Sequence, residues 1–456
     1  MLLFVMLAAR VSVAQSDHLL IGGQLVTPDG VAAHGWMELQ GGKIVRLYAA
    51  KPVLPGVVVL ETQDLIFPGF VDLHNHPLYN IFPRWTPPRK YPNRYAWRDG
   101  AESKAALQDP LARLQKDGDN FCDIDEYAEV RALIGGTTSM IGITGFHSLP
   151  APKTPDCVKG LVRNLDAYTG FYGSAVDHER IVNSIGILPR DMTPEAAADV
   201  ARRIQDGAVD LLAIHLAEGL PTDAESAQEL DKLDAAHLLT AHTVLIHAVG
   251  LSPEQMLRVH GANASIVWSP RSNFELYGAT ANVDAAFRSG VSIALAPDWS
   301  PSGSDNMLDE IRYARHVSET KMNGLFSNRQ LVEMASSVPA RIARIDDKVG
   351  TIAVGEYGDL FLLKPNPKMS NAYDALVQAK VTDVEMVFVD GVPLYGTPER
   401  FKELGVPAET ISVCGQRRVL NSSALPAGSF AAVTQRLAVK VKAAGSELAP
   451  LAECLP

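Results

Sequence analysis

The sequence predicts an α/β protein, a distorted (β/α)8 barrel of the TIM type over residues 66–345 with a small β-sandwich built from the segments 17–65 and 346–400. Three observations carry this. Apolar strand-like runs alternate with helical stretches from Ile66 to about Ile345. Short β-rich runs punctuated by Gly and Pro flank that region on both sides. Several of the apolar runs end in His, Glu or Asp, and in a barrel the carboxyl ends of the strands converge on one mouth. An open doubly wound sheet is the alternative.

In chain order, Met1–Ala9 is a short apolar run followed by Ser12-Val13-Ala14. Small residues at the cleavage-determining positions read as a signal peptide spanning 1–14, although a basic leading region is missing. The run is too short to span a bilayer of ~30 Å, so export to the periplasm or medium is expected, with no stable membrane insertion. Leu19–Gly23, Trp36–Leu39, Lys43–Leu47 and Val57–Leu60 are the first flank's strands. Phe70–Leu73, Thr138–Thr144, Ile181–Leu188, Leu211–His215, Val244–His247, Ser265–Ser269 and Val291–Ala296 are the barrel strands, with amphipathic runs such as Ala196–Gln205 and Pro253–Val259 between them. Gly350–Leu363 and Val384–Leu394 return to β structure, and the Ala-rich tail 401–456 is a C-terminal extension of unreadable role.

Between His76 and Asp123 lies a long insertion carrying Tyr79, Phe82, Trp85, Tyr91, Tyr95 and Trp97 among Arg84, Arg89, Lys90, Arg94 and Arg98. Following the first barrel strand, it belongs over the mouth. One reading is a lid that stacks on a flat substrate and meets an anionic group; the other is a surface excursion packed on its own aromatics.

At 456 residues the chain exceeds what one core supports. Its net charge of -11, with no balancing basic stripe, disfavours a nucleic-acid partner. No Walker A pattern, G-x-G-x-x-G fingerprint or G-x-S-x-G elbow is present. The four cysteines fit export; they allow three pairings, of which nearest neighbours in sequence would join Cys122 to Cys157 and Cys414 to Cys454, and four buried free thiols are the alternative. A small-molecule substrate and a default homodimer complete the picture.

The chemistry-bearing residues sit at strand ends. His74 and His76 are two apart on one strand, so they project to one side, which is half of a divalent-metal site. Leu211–His215 ends in an imidazole with Glu218 three residues on, Val244–His247 ends in another, and the strand before Asp298 ends in a carboxylate. Taken singly, each is an ordinary core histidine or capping acid; jointly they point to a metal centre. His178, His237, His242, His260 and His316 read as structural, loop or helix residues, and His147, which follows a strand, has two readings, one structural and one that reaches the mouth.

These motifs, together with Trp268-Ser269-Pro270-Arg271-Ser272-Asn273, resemble the amidohydrolase superfamily, in its mononuclear branch of cytosine, guanine and adenosylhomocysteine deaminases and triazine hydrolases. The resemblance covers about Leu19 to Tyr395. It implies that His74, His76, His215 and Asp298 bind one divalent ion, Zn²⁺ first and Fe²⁺ as the alternative. It also implies that Glu218, His247 and Asp298 are catalytic. No lysine matches the carbamylated ligand of the binuclear branches. Ala296-Pro297-Asp298-Trp299 departs from the Gly-Thr-Asp of many relatives. Trp85, Trp268, Arg271, Asn273 and Trp299 are the substrate-binding candidates.

The expected reaction is hydrolysis of a carbon–nitrogen bond other than a peptide bond, deaminating a small heterocycle. Zn²⁺ lowers the pKa of a bound water to ~7, and the resulting hydroxide attacks the carbon. Glu218 moves the proton to the leaving nitrogen and His247 polarises the atom that gains charge. A cyclic amide, an N-acyl amino acid or a halogenated ring would be served by the same attack. A non-catalytic barrel is the reading from another class, and the full ligand set argues against it.

Overall fold

Residues 18–116, 120–142, 160–166, 180–184, 186–187 and 190–454 are described by the structure, a computed structural model. The signal-peptide segment, Cys157, His147 and His178 lie outside them. The first flank supplies β1 (His18–Thr27), β2 (Gly30–Val31), β3 (Gly35–Gln40), β4 (Lys43–Tyr48) and β5 (Val58–Pro68). The central region supplies β6 (Phe70–Asp72), β7 (Thr137–Met140), β8 (Arg163–Asn164), β9 (Ile181–Ser184), β10 (Leu211–Leu216), β11 (Thr243–His247), β12 (Ser265–Trp268) and β13 (Ile293–Leu295). The return flank supplies β14 (Leu360–Leu363), β15 (Val384–Val389), β16 (Val392–Gly396), β17 (Ala408–Val413) and β18 (Gln416–Asn421).

Strands from both flanks join in one ten-stranded sheet, ordered β17-β18-β16-β15-β14-β5-β1-β3-β4 with β2 beside β1. Its seam is β5, parallel to β1 and antiparallel to β14. The sheet runs past residue 400, because β17 and β18 form a hairpin on its edge through β16. Ile21, Met37, Leu60, Leu362 and Phe388 pack in one cluster of this sheet, as alternating side chains on a pleated strand do.

Gly69 is the pivot from sheet to centre. A Cβ there would meet Thr138 Oγ1 at 2.2 Å, while its N–H donates to Asp359 O at 2.8 Å. Only glycine lets the backbone pass so close.

The central strands are all parallel. One sheet runs β13-β12-β11-β10-β9 and another β6-β7-β8. A parallel bridge, Asn75 to Asp298, links the end of β6 to the end of β13. Helices lie between β6 and β7 and between successive strands from β9 to β13, and another follows β13; Thr193, Ser252 and Asn306 cap three of them, each accepting from a backbone N–H three residues on. Alternate residues of the parallel strands, or the residues just beyond them, share one buried apolar cluster, including Val71, Ile141, Leu165, Ile181, Ala213, Ile246, Val267 and Ala294. Their neighbours Leu212, Leu245 and Ile266 face the helical layer.

The tail is integral. Helix Phe430–Ala443 lies along helix Phe121–Leu133, with Phe430 stacked 5.6 Å from Tyr127 and Arg436 on Asp123 at 2.6 Å. Ala449 N–H donates to Ile81 O at 2.8 Å, and Cys454 is disulfide-bonded to Cys414. Cys122 is disulfide-bonded as well. Among the described residues no helix is long and apolar enough to cross a membrane.

The Cys414–Cys454 link closes a sequence separation of 40 residues. Replacing both cysteines with serine is expected to cost about 4 kcal/mol in the chain-entropy picture. Denaturant unfolding measures this, and an unchanged midpoint would mean that the crosslink constrains nothing.

Candidate active site

Each residue predicted to bind metal or act in catalysis lies at or just beyond the carboxyl end of a parallel strand. His74 and His76 follow β6, His215 and Glu218 end and follow β10, His247 ends β11, and Asp298 follows β13. Alternation alone does not aim His247. Val244 and Ile246 point into the inner cluster and Leu245 points out, so the next residue in phase with Leu245 belongs outside. His247 has φ 71°, and this left-handed backbone turns its ring back over the mouth. Asp298 is held similarly at φ 67°. Strained conformations of this kind persist where the surroundings over-determine them.

The six side chains meet. His74 Nε2 lies 2.9 Å from Asp298 Oδ1, His76 Nε2 lies 3.4 Å from the same oxygen, and His247 Nε2 lies 4.0 Å from Oδ2. The His74 ring centroid is 4.9 Å from His76, 4.7 Å from His215 and 4.9 Å from His247. Ligand atoms of His74, His76 and His215 lie within 4.8 Å of one another, as do those of His74, His247 and Asp298 and those of His215, Glu218 and His247.

The donors fit a cation. His74 Nε2 is buried and makes no hydrogen bond, although a carboxylate oxygen stands 2.9 Å away. Two electron-pair donors that close, without hydrogen-bond alignment, converge on a shared point in front of both. Burial pushes the imidazoles of His74 and His215 well below their ordinary range and that of His76 down to about 3, with neighbouring rings adding to the effect. The rings are therefore neutral, as ligands must be.

Surrounding contacts orient them. His215 Nδ1 donates to Ser184 O at 3.1 Å, leaving Nε2 for the centre. His247 Nδ1 pairs with Asn273 Oδ1 at 2.9 Å, and Asn273 Nδ2 donates to Thr280 Oγ1 at 3.2 Å. Asp72 accepts from His74 N–H at 3.0 Å and from Asn75 Nδ2 at 2.6 Å. Asn80 Nδ2 then donates to Asn75 Oδ1 at 2.8 Å, and Asn80 Oδ1 accepts from Ser300 N–H at 2.9 Å. The His-x-His turn and the Asp298 loop are thus one hydrogen-bonded unit.

The cavity over this centre is about 160 Å³ and is lined by His76, Tyr79, Arg94, Trp97, Arg98, Leu107, Gln108, His215, Glu218, His247, Asp298 and Trp299.

Of the five substrate-binding candidates, Trp299 alone lines the cavity. Trp268 is fully buried, packs on Phe326 and donates its indole N–H to Thr280 at 2.7 Å. Asn273 is fully buried and serves His247. The Arg271 guanidinium turns toward Glu453, 3.8 Å away. Trp85 sits behind Trp97, 6.4 Å between ring centres, with its backbone N–H on Pro301 O. The apolar strand and the turn after it draw Trp268, Arg271 and Asn273 inward or aside. The insertion meets the cavity through Tyr79, Arg94, Trp97 and Arg98 instead.

Leu107, Gln108 and Tyr277 were not anticipated. Tyr277 donates its hydroxyl to Glu218 Oε1, and burial together with the Glu218 charge keeps the phenol protonated. The available signal was its i,i+4 spacing from Asn273 on helix Pro270–Tyr277, which puts both on one face.

Comparison with known proteins follows the same lines. Residues 210–394 match the model of the amidohydrolase family. The chain is 24% identical over 383 residues to a 5-methylthioadenosine/S-adenosylhomocysteine deaminase of Caldanaerobacter subterraneus subsp. tengcongensis, covering 77% of this chain and 86% of that protein. Among solved structures, a Xanthomonas campestris adenosine deaminase with bound zinc superposes with a TM-score of 0.68 at 16% identity, over 94% of this chain and 99% of that one. An atrazine chlorohydrolase from Arthrobacter aurescens does so with a TM-score of 0.67 at 16% identity, over 82% and 95%. At such identities the structural likeness is one of fold.

The depressed imidazoles set an acid dependence. In the metal-free protein the folded chain leaves His76 neutral down to about pH 3, while the unfolded chain takes up protons near the ordinary value of ~6.5. Stability is therefore full above about pH 6.5 and falls as pH drops toward 3. Thermal midpoints of chelator-treated protein across that range test this; a flat profile, or a slope unchanged in His76→Gln, would contradict it.

Proposed function

We propose that the chain is a member of the amidohydrolase superfamily, and that it is a metal-dependent hydrolase of carbon–nitrogen bonds other than peptide bonds, deaminating a small nitrogen heterocycle. The observation that carries this is one cluster of ligand atoms from His74, His76, His215, Glu218, His247 and Asp298, of which all but the buried His74 line a single cavity. His74, His76, His215 and Asp298 would offer an ion three imidazole nitrogens and a carboxylate oxygen, a donor set to which Zn²⁺ is suited and Fe²⁺ is the alternative. When bound, such an ion polarises a carbonyl-type carbon and lowers the pKa of a water to ~7. The chain's own residues do the rest. Glu218 accepts the proton of the attacking water and returns it to the leaving nitrogen. His247 Nε2, its ring held through Nδ1 by Asn273, faces the atom on which charge develops. Trp97, Trp299 and Tyr79 wall the cavity and exclude water from the proton's path.

We read the two parallel sheets as the arcs of a closed, distorted (β/α)8 barrel. In support, all the parallel strands feed one inner cluster and the Asn75–Asp298 bridge spans one of the gaps. The N-terminal apolar run and the cystines favour export; a mature protein still beginning at Met1 would overturn that part.

The function is tested on purified protein by elemental analysis and by assay of adenosine, guanine, S-adenosylhomocysteine and atrazine. About one divalent ion per chain and ammonia release are expected. Free chloride from atrazine would instead assign dehalogenating hydrolysis. Glu218→Ala is expected to keep the ion and lose roughly 10²- to 10⁴-fold in rate. Full activity in that variant would sink the proton-transfer role.

A further inference from the structure

Glu218 carries the most demanding task in the proposed reaction, yet it lies in a loop beyond β10 on a side chain with three free torsions. Something must hold its carboxylate. Tyr277, at the end of helix Pro270–Tyr277, donates its hydroxyl to Glu218 Oε1. The same hydroxyl oxygen accepts from Trp97 Nε1 at 2.8 Å. The direction of this chain does not depend on where hydrogens are drawn. An indole N–H can only donate, so Tyr277 must accept from Trp97, and its single hydroxyl proton is left for the carboxylate.

Trp97 belongs to the short helix Arg94–Arg98 within the long insertion. It lines the cavity and packs 5.4 Å from Trp299, the neighbour of Asp298. The same stretch is zipped to the Glu218 loop by main chain. Arg94 N–H donates to Glu218 O at 2.9 Å, Leu220 N–H donates to Pro92 O at 2.7 Å, and Asn93 pairs with Gly219 in an antiparallel bridge. The wall that covers substrate and the loop that moves the proton are therefore joined twice, once through backbone and once through Tyr277.

We propose that Trp97 and Tyr277 are positioning residues that act in series on Glu218, so that the covering segment of the cavity sets the geometry of proton transfer. This rests on the hydrolase reading above. Tyr277→Phe removes one hydroxyl and keeps the ring. Trp97→Phe keeps a covering ring and removes the N–H.

The experiment uses the zinc-loaded full chain and whichever of the four probe compounds it turns over. Tyr277→Phe is expected to lower kcat roughly 10- to 100-fold, the cost of a misplaced catalytic group, with KM within about twofold and zinc content unchanged. Trp97→Phe is expected to lower kcat less. The double variant should be no slower than Tyr277→Phe, since residues in series do not add. An unchanged kcat in Tyr277→Phe, a loss confined to KM, or multiplied losses in the double variant would overturn the proposal.

Should none of the four compounds react with the wild-type protein, the hydrolase reading fails by itself. The linkage is then read by hydrogen exchange on the zinc-loaded chain. Tyr277→Phe should speed exchange in both 92–98 and 217–220, and exchange unchanged in either segment would overturn the linkage.

Discussion

The Asp298 carboxylate is the constraint on which the site depends. One of its oxygens stands 2.9 Å from His74 Nε2 and 3.4 Å from His76 Nε2, and its backbone carbonyl accepts from His76 N–H at 3.0 Å. The end of the last central strand is thereby fixed against the end of the first. Desolvated donors crowded this tightly are costly unless a cation or well-aligned protons satisfy them. The fold supports that crowding from below with a packed apolar cluster and from the side with the Asp72–Asn75–Asn80–Ser300 chain.

The parts remote in sequence serve the same end. Arg131 reaches Asp305 at 2.9 Å, and Arg84 donates to Gly303 O and to Glu453, each at 2.9 Å. The C-terminal segment thus closes over the loop that follows Asp298, and the Cys414–Cys454 link ties that segment to the edge of the ten-stranded sheet. An extension with no legible motif is a clasp in the folded protein. Its helix buries Phe430, Val433, Leu437 and Val441 at helical spacing, whereas its contacts with the Asp298 loop are single ion pairs and main-chain bonds, which leave no periodic trace in the sequence.

The cavity joins two kinds of surface. Its floor is polar, made by imidazoles and carboxylates with geometry set by strand ends. Its walls are aromatic and come largely from the insertion after β6 and from Trp299. Rigid strands suit the floor, because ligand distances tolerate little error, whereas loops suit the walls, because selectivity is a matter of shape and complementary polarity. Glu218 stands between the two, and its contacts with Tyr277 and with the Arg94 backbone show both surfaces bearing on one carboxylate.

Strand–helix alternation, the β-rich flanks and the His74, His76, His215, Glu218, His247 and Asp298 set were legible in the sequence. Each rests on a local rule: side-chain period, strand length, or the polar residue that ends an apolar run. The fate of Trp268, Arg271 and Asn273 was not legible, because which way a turn aims its side chains depends on what packs against it. The same holds for His247, which alternation would have pointed outward and which a left-handed backbone points in. The pairings of Tyr277 and of the tail were hidden for a related reason: their partners, Glu218 and Arg84, lie far away along the chain. The sequence by itself determined the chemistry of the donors; only the tertiary structure decided which atoms face them, since orientation and long-range pairing are properties of packing and not of local pattern.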